Sequence, residues 1–362
     1  MKMKRILSII MSLIVTSSII TGCGGSSESN SSNEVETNVA IGLSTDEGGI
    51  NDKSFNQSAN EGVLRAKDEF KFRYTTIEAQ KKEDYEPNLQ ALVDDGSNLV
   101  FGVGYQLADA ISKVAQNNPD VNFCIIDSVV DGDNVESIIF KEEEGSFLVG
   151  VIAGLMTKTN KVGFIGGKDE ETIVKFESGF AAGVKAVNPE AAKGLISKDG
   201  KMPGATVKYA SSFADTNKGY ELAKSLYESG CDVIYHAAGG VGIGMFQAAK
   251  EFKDQGKEVW AIGVDMDQAI SLPDYSDVIL TSMIKRVDNA TYDVAKSQVE
   301  DTFQAGIRVL GIAEDGVGIA DSSSVNTPED ILAKAYEYEK QIEDEQIIVP
   351  ITREEVMKFE VK

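Results

Sequence analysis

The chain of 362 residues has one histidine, three cysteines and 35 basic against 58 acidic side chains. Each shortage excludes something. With His236 alone, a site built on several histidine ligands is impossible, and a histidine-dependent triad would have to form around that one residue. Three cysteines cannot staple a chain this long. Cys124 lies in the apolar run 121–126 and Cys231 just before the run 233–235, and both read as small buried core residues rather than a disulfide pair. The formal charge is −23, and becomes −26 once residues 1–22, with Lys2, Lys4 and Arg5 and no acid, are removed. A surface that anionic excludes charge-driven binding to nucleic acid or to an anionic membrane. Composition is otherwise that of a globular protein, 42% hydrophobic and 26% charged, with length enough for two cores.

What is present begins at the N-terminus. Three basic residues precede fifteen uncharged, mostly apolar residues, Ile6 to Ile20, the shape of a secretory signal and short for a transmembrane span. The stretch ends Ile20-Thr21-Gly22-Cys23, which resembles the lipobox of bacterial lipoproteins. That resemblance implies a signal peptide over 1–22, lipidation of Cys23 and attachment to the outer side of the cell membrane through the lipid alone. Residues 24–38 are rich in Ser, Asn and Gly and read as a flexible tether.

From residue 39 onward, apolar runs alternate with stretches of helical periodicity. Strands are expected near 39–43, 74–78, 98–103, 121–126, 137–140, 161–165, 205–209, 232–237, 258–264 and 278–284, and helices at 85–95, 105–117, 145–157, 172–187, 216–229 and 243–254. Strand then helix, repeated, means parallel sheets with right-handed crossovers, and this many strands suit two sheets better than one. The break should fall at 140–145, where a strand gives way to Glu142 to Glu144, an acidic run that reads as a solvated helix start. Residues 328–346 read as an acidic helix without a functional signal.

Enzyme motifs fail on inspection. The run Gly239-Gly240-Val241-Gly242 lacks the third glycine of a dinucleotide loop, since position 245 is Met245. Gly167-Lys168 would end a phosphate loop only with glycine at Val162 and Ser or Thr at Asp169. Acid pairs such as Asp265 and Asp267 are compatible with acid–base chemistry, but nothing else supports an enzyme, and no cofactor or metal is implied.

The strand ends carry a different pattern. Asp46, Gly48, Gly49 and Phe55 fall between the first strand and a helix spaced on Phe55, Ala59, Val63, Ala66 and Phe70, with Asn51 and Asp52 as suitable caps. These fit either a ligand-facing turn or a solvated one with Phe55 in the core. Asp127 follows the fourth strand, Phe213 the seventh, Gly240 the eighth and Asp265 the ninth, and Lys285 follows the tenth. In open α/β sheets, ligands bind in the crevice outside such carboxyl ends.

Thr45-Asp46-Glu47-Gly48-Gly49-Ile50-Asn51-Asp52-Lys53-Ser54-Phe55-Asn56 resembles the opening signature of the basic membrane protein family, and Gly145 to Gly150 and Leu280 to Asp288 resemble later segments of it. The resemblance implies a lipid-anchored binding protein for purine nucleosides such as guanosine, inosine or adenosine, working with the permease and ATPase subunits of an ABC importer. It implies an α/β fold of two doubly wound parallel-sheet lobes joined by a three-strand hinge, like type I periplasmic binding proteins. Lobe one would take 38–140 and 283–305, and lobe two 141–282 and 306–362. Carried over by position, Phe55 and Phe213 would sandwich the base and Asp127 would bond its edge. Asp265 and Lys285 would hold the ribose, Gly240 would offer backbone, and Asp46, Asn56 and Phe176 would line the pocket. Two other readings fit the same residues: a ligand-sensing receptor of this fold, and a binding protein for a free sugar.

Overall fold

In the computed structural model, which describes residues 38–360, twelve strands form two six-stranded sheets. The first holds β1 (Ala40–Thr45), β2 (Arg73–Glu78), β3 (Leu99–Val103), β4 (Asn122–Ile126), β5 (Val135–Phe140) and β11 (Gly306–Leu310), in the order β2-β1-β3-β4-β5-β11. The second holds β6 (Val162–Gly166), β7 (Val207–Tyr209), β8 (Val233–Ala237), β9 (Trp260–Asp265), β10 (Ile279–Lys285) and β12 (Val317–Ile319), in the order β7-β6-β8-β9-β10-β12. Every described pairing is parallel except β10 with β12. The expected α/β architecture of two doubly wound lobes holds. The Cys23 lipidation, signal and tether expectations lie outside the described residues.

Central strands are buried throughout and mostly apolar: β3 is Leu-Val-Phe-Gly-Val and β8 Val-Ile-Tyr-His-Ala. Such runs need helices on both faces, which is what a parallel sheet with crossovers supplies. In each sheet the order reverses between the first strand of its lobe and the third, β1/β3 and β6/β8. That switch point leaves a crevice at the carboxyl ends.

The chain passes between sheets three times: after Phe140, after Lys285, and between Leu310 and Val317. Two boundaries differ from the expected ones. Residues 306–310, assigned to lobe two, pair with Glu136 to Phe140 and extend the first sheet. Residues 283–285, assigned to lobe one, complete β10 beside β9 and β12 of the second. The strand Gly306–Leu310 has exposed apolar side chains at Ile307 and Val309, so it lacks the buried alternation that marks a strand. A second correction concerns the acidic run. Glu142 and Glu143 are buried, at 1% and 8% exposure, and only Glu144 is half-buried, because the helix Glu142–Met156 packs its first turn into the hinge.

Candidate functional site

The carboxyl ends of the two sheets face each other across a narrow cavity of about 50 Å³, lined from both lobes. Asp46, Phe55, Asn56, Asp127, Phe213, Asp265 and Lys285 all line it, as does Phe176. Gly240 does not. It stands one residue behind the wall, at the cap of the helix Val241–Asp254, and Gly239 borders the cavity instead.

The first turn after β1 is built by its own side chains. Asp46 Oδ1 accepts from Gly48 N at 2.9 Å and from Asn56 Nδ2 at 2.8 Å, which fixes Asn56 with its buried Oδ1 lacking a partner. Asp52 accepts from the backbone nitrogens of Ser54, Asn56 and Gln57 and so caps the helix Phe55–Phe70. Burial pushes the Asp52 carboxyl up to about 7 despite those three donors. Gly104, after β3, has φ +108 and leaves room for Asp46 and Phe55, each 3.5 Å from where a Cβ would stand.

Asp127 and Asp265 end their strands with φ near +67 and +66, a left-handed backbone that is uncommon outside glycine and costs about 1–3 kcal/mol. Such conformations cluster at ligand sites, and here they turn two carboxylates into one cleft. Asp265 accepts a short hydrogen bond from Ser54 Oγ, across the cleft. Asp127 Oδ2 accepts from Lys285 Nζ at 2.6 Å, and its Oδ1 is buried with no partner. Lys285 is 1% exposed and also donates to Glu142 at 3.0 Å, with the rings of Phe55, Phe140 and Phe176 5.0–5.4 Å from the ammonium. Burial works against that charge, but the carboxylates of Asp127, Glu142 and Asp265 outweigh it and hold Lys285 protonated. Burial raises the Asp127 carboxyl to about 7, opposed by Lys285 and reinforced by Glu142.

Phe213 packs against Gly167, where a Cβ would stand 2.1 Å from the ring, and pairs with Tyr105 edge-to-face at 6.4 Å between centroids. Tyr105, Asp52 and Thr172 line the cavity and were not among the expected site residues. Tyr105 follows β3 just as Asp127 follows β4, so the strand-end rule reaches it; Asp52 was read as a cap and is one. His236 lies outside the cavity. It is fully buried, its Nε2 is 2.9 Å from Gln268 Oε1, and burial lowers its pKa to about 4, so it stays neutral at physiological pH.

The lobes are latched shut. Lys168 of the second reaches Glu47 and Gln106 of the first, both at 2.7 Å, and Gln268 Nε2 donates to Lys53 O at 2.9 Å.

A closed two-lobe cleft with its polar groups at strand ends coincides with what comparison finds. Residues 39–352 match the family model described as ABC transporter substrate-binding protein PnrA-like. The chain belongs to this family. A relative from Listeria innocua, named CD4+ T-cell-stimulating antigen, is 42% identical, covering 96% of this chain and 99% of its own. The ABC transporter nucleoside-binding protein BmpA of Lactococcus lactis is 36% identical over the same shares. The crystal structure of an ABC transporter solute-binding protein from Aeropyrum pernix superposes with a TM-score of 0.74 at 27% identity, covering 88% of this chain and 96% of that one. The family's role is to bind a substrate for an ABC transporter, outside the cytoplasm, and is not an enzymatic one. Among the described residues, no helix is long and apolar enough to cross a membrane.

Proposed function

We propose that this protein captures purine nucleosides such as guanosine, inosine or adenosine in the closed cleft and delivers them to the permease and ATPase subunits of an ABC importer, held at the membrane by a lipid on Cys23. The observation that carries the ligand assignment is the cavity lining. It offers aromatic rings from both lobes, Phe55 from one and Phe176 and Phe213 from the other, beside an array of acceptors. A nucleobase has the flat faces such rings need, and stacking one is worth about 1–3 kcal/mol. The unpartnered oxygens of Asn56 and Asp127, with Asp265 opposite, call for donors, which a base edge and ribose hydroxyls supply. A carboxylate left unpaired in a closed cleft costs about 1–3 kcal/mol or more, so a ligand without those donors is rejected. Four aspartates against one lysine on the wall disfavour a phosphate, so nucleosides are preferred over nucleotides. The name of the Lactococcus relative supports the same reading.

The test is calorimetric titration of residues 24–362, unfolded and refolded to strip carried ligand, with guanosine, inosine, adenosine, cytidine, ribose and guanosine monophosphate. Saturable binding of the purine nucleosides, with ribose and the nucleotide much weaker, is expected. Ribose binding as tightly as a nucleoside overturns the assignment in favour of a sugar-binding protein.

A further inference from the structure

Glu142 is 1% exposed and does not line the cavity, yet it touches the lysine that does. Its Oε1 accepts from Lys285 Nζ at 3.0 Å, while Oε2 has no hydrogen-bond partner and stands 3.9 Å from Lys175 Nζ. We propose that Glu142 is a positioning residue that holds the Lys285 ammonium against Asp127 from outside the cavity, and thereby sets the charge and the free acceptor that Asp127 presents to a ligand.

The argument starts from position in the chain. Glu142 opens its helix directly after the first crossing between lobes, and Lys285 closes β10 directly before the second. Both therefore belong to the second lobe, whereas Asp127 directly follows β4 in the first. The Glu142–Lys285 contact lies within one lobe, and the Lys285–Asp127 contact spans the cleft. A buried ammonium left without a partner would be costly, and Glu142 gives Lys285 a partner from its own lobe.

Charge adds a second role. The groups facing Asp127 are Lys285, Glu142, Asp265 and Tyr105. Those facing Glu142 are Lys285, Lys175, Glu143, Asp265 and Tyr235. Two carboxylate oxygens that bond one nitrogen, at 2.6 and 3.0 Å, lie less than about 6 Å apart. At that separation the charge on Glu142 opposes ionisation of Asp127. Glu142 therefore governs the pH at which Asp127 becomes a carboxylate able to accept from a ligand. This consequence for binding rests on the nucleoside reading; the coupling itself does not.

The test uses Glu142→Gln, which keeps shape and removes charge. In ligand-free protein carrying 13C-carboxyl aspartate, the Asp127 resonance is assigned by its loss in Asp127→Asn and followed with pH. Its midpoint should fall by about one to two pH units in Glu142→Gln. Lys175→Met, at a half-buried position, should move it upward by removing the cation beside Glu142. Purine nucleoside affinity measured from about pH 5 to pH 8 should show its acid limb displaced in the same directions. An Asp127 midpoint unchanged in folded Glu142→Gln overturns the proposal. If that variant does not fold, an unchanged midpoint in Lys175→Met does so. Failure of every purine nucleoside to bind wild-type protein would refute the proposed ligand class, while the Asp127 titration would still decide the role of Glu142.

Discussion

Phe213→Ala separates a nucleoside site from a sugar site most directly. The ring is 9% exposed, backed by Gly167 and held at its edge by Tyr105, so little conformational freedom remains to be lost when a base stacks on it. Removing one stacking ring costs about 1–3 kcal/mol, which at 1.4 kcal/mol per decade is a loss of about 5- to 150-fold in affinity. Free ribose has no face to stack, and its affinity should not change. Gly167→Ala provides a second arm that deletes no lining atom: its methyl would stand 2.1 Å from the Phe213 ring and must push it into the cavity. Isothermal titration with guanosine, inosine and ribose, on variants whose melting shows a folded protein, reads both arms. Nucleoside affinity within twofold of wild type in Phe213→Ala would refute the stacking argument.

Other consequences follow from the same geometry. Lys168→Ala removes a partly exposed ion pair and an amide contact that close the cleft, worth up to about 1 kcal/mol; ligand release should quicken about two- to fivefold with association little changed, as stopped-flow would show, and an unaltered release rate would mean that the latch holds nothing. Arg353, in the helix Arg353–Lys358, is buried and bonds both oxygens of Glu177 together with Asp169 and Tyr209. Arg353→Ala strands the buried Glu177 and should cost about 3–5 kcal/mol in thermal or denaturant unfolding while leaving ligand affinity near wild type. Asp52 titrates near 7 when folded and near 4 when unfolded, so its contribution to stability is fully present below about pH 4 and is lost as pH rises through 7. Ligand-free Asp52→Asn should therefore lose less stability than wild type between pH 5 and pH 8, and parallel pH profiles of melting would contradict that assignment.

The lobes were legible because buried parallel strands leave long apolar runs, and because the residue closing each run was polar or aromatic. Asp127, Phe213, Asp265 and Lys285 were found by that rule, and Tyr105 obeys it too but was absorbed into the helical stretch whose opening 3-10 turn, Tyr105–Leu107, it begins. The roles assigned to those residues came from family resemblance. Of the four edge strands, β2 and β7 were legible and β11 and β12 were not; β11 has exposed apolar side chains and so lacks a buried period. The crossings rested on the family resemblance, which placed the second and third a few residues early. Glu142 failed for a different reason. Three successive acids at a helix start have a sufficient local explanation in the helix dipole, and nothing in a linear sequence says that two of them face inward. Only the crossing segments bring position 142 to position 285, 143 residues away. The strand-end rule finds the groups that a ligand touches, since they share a local pattern. The groups that hold those in place share a contact instead, and a contact between two hinge segments leaves no periodicity to read.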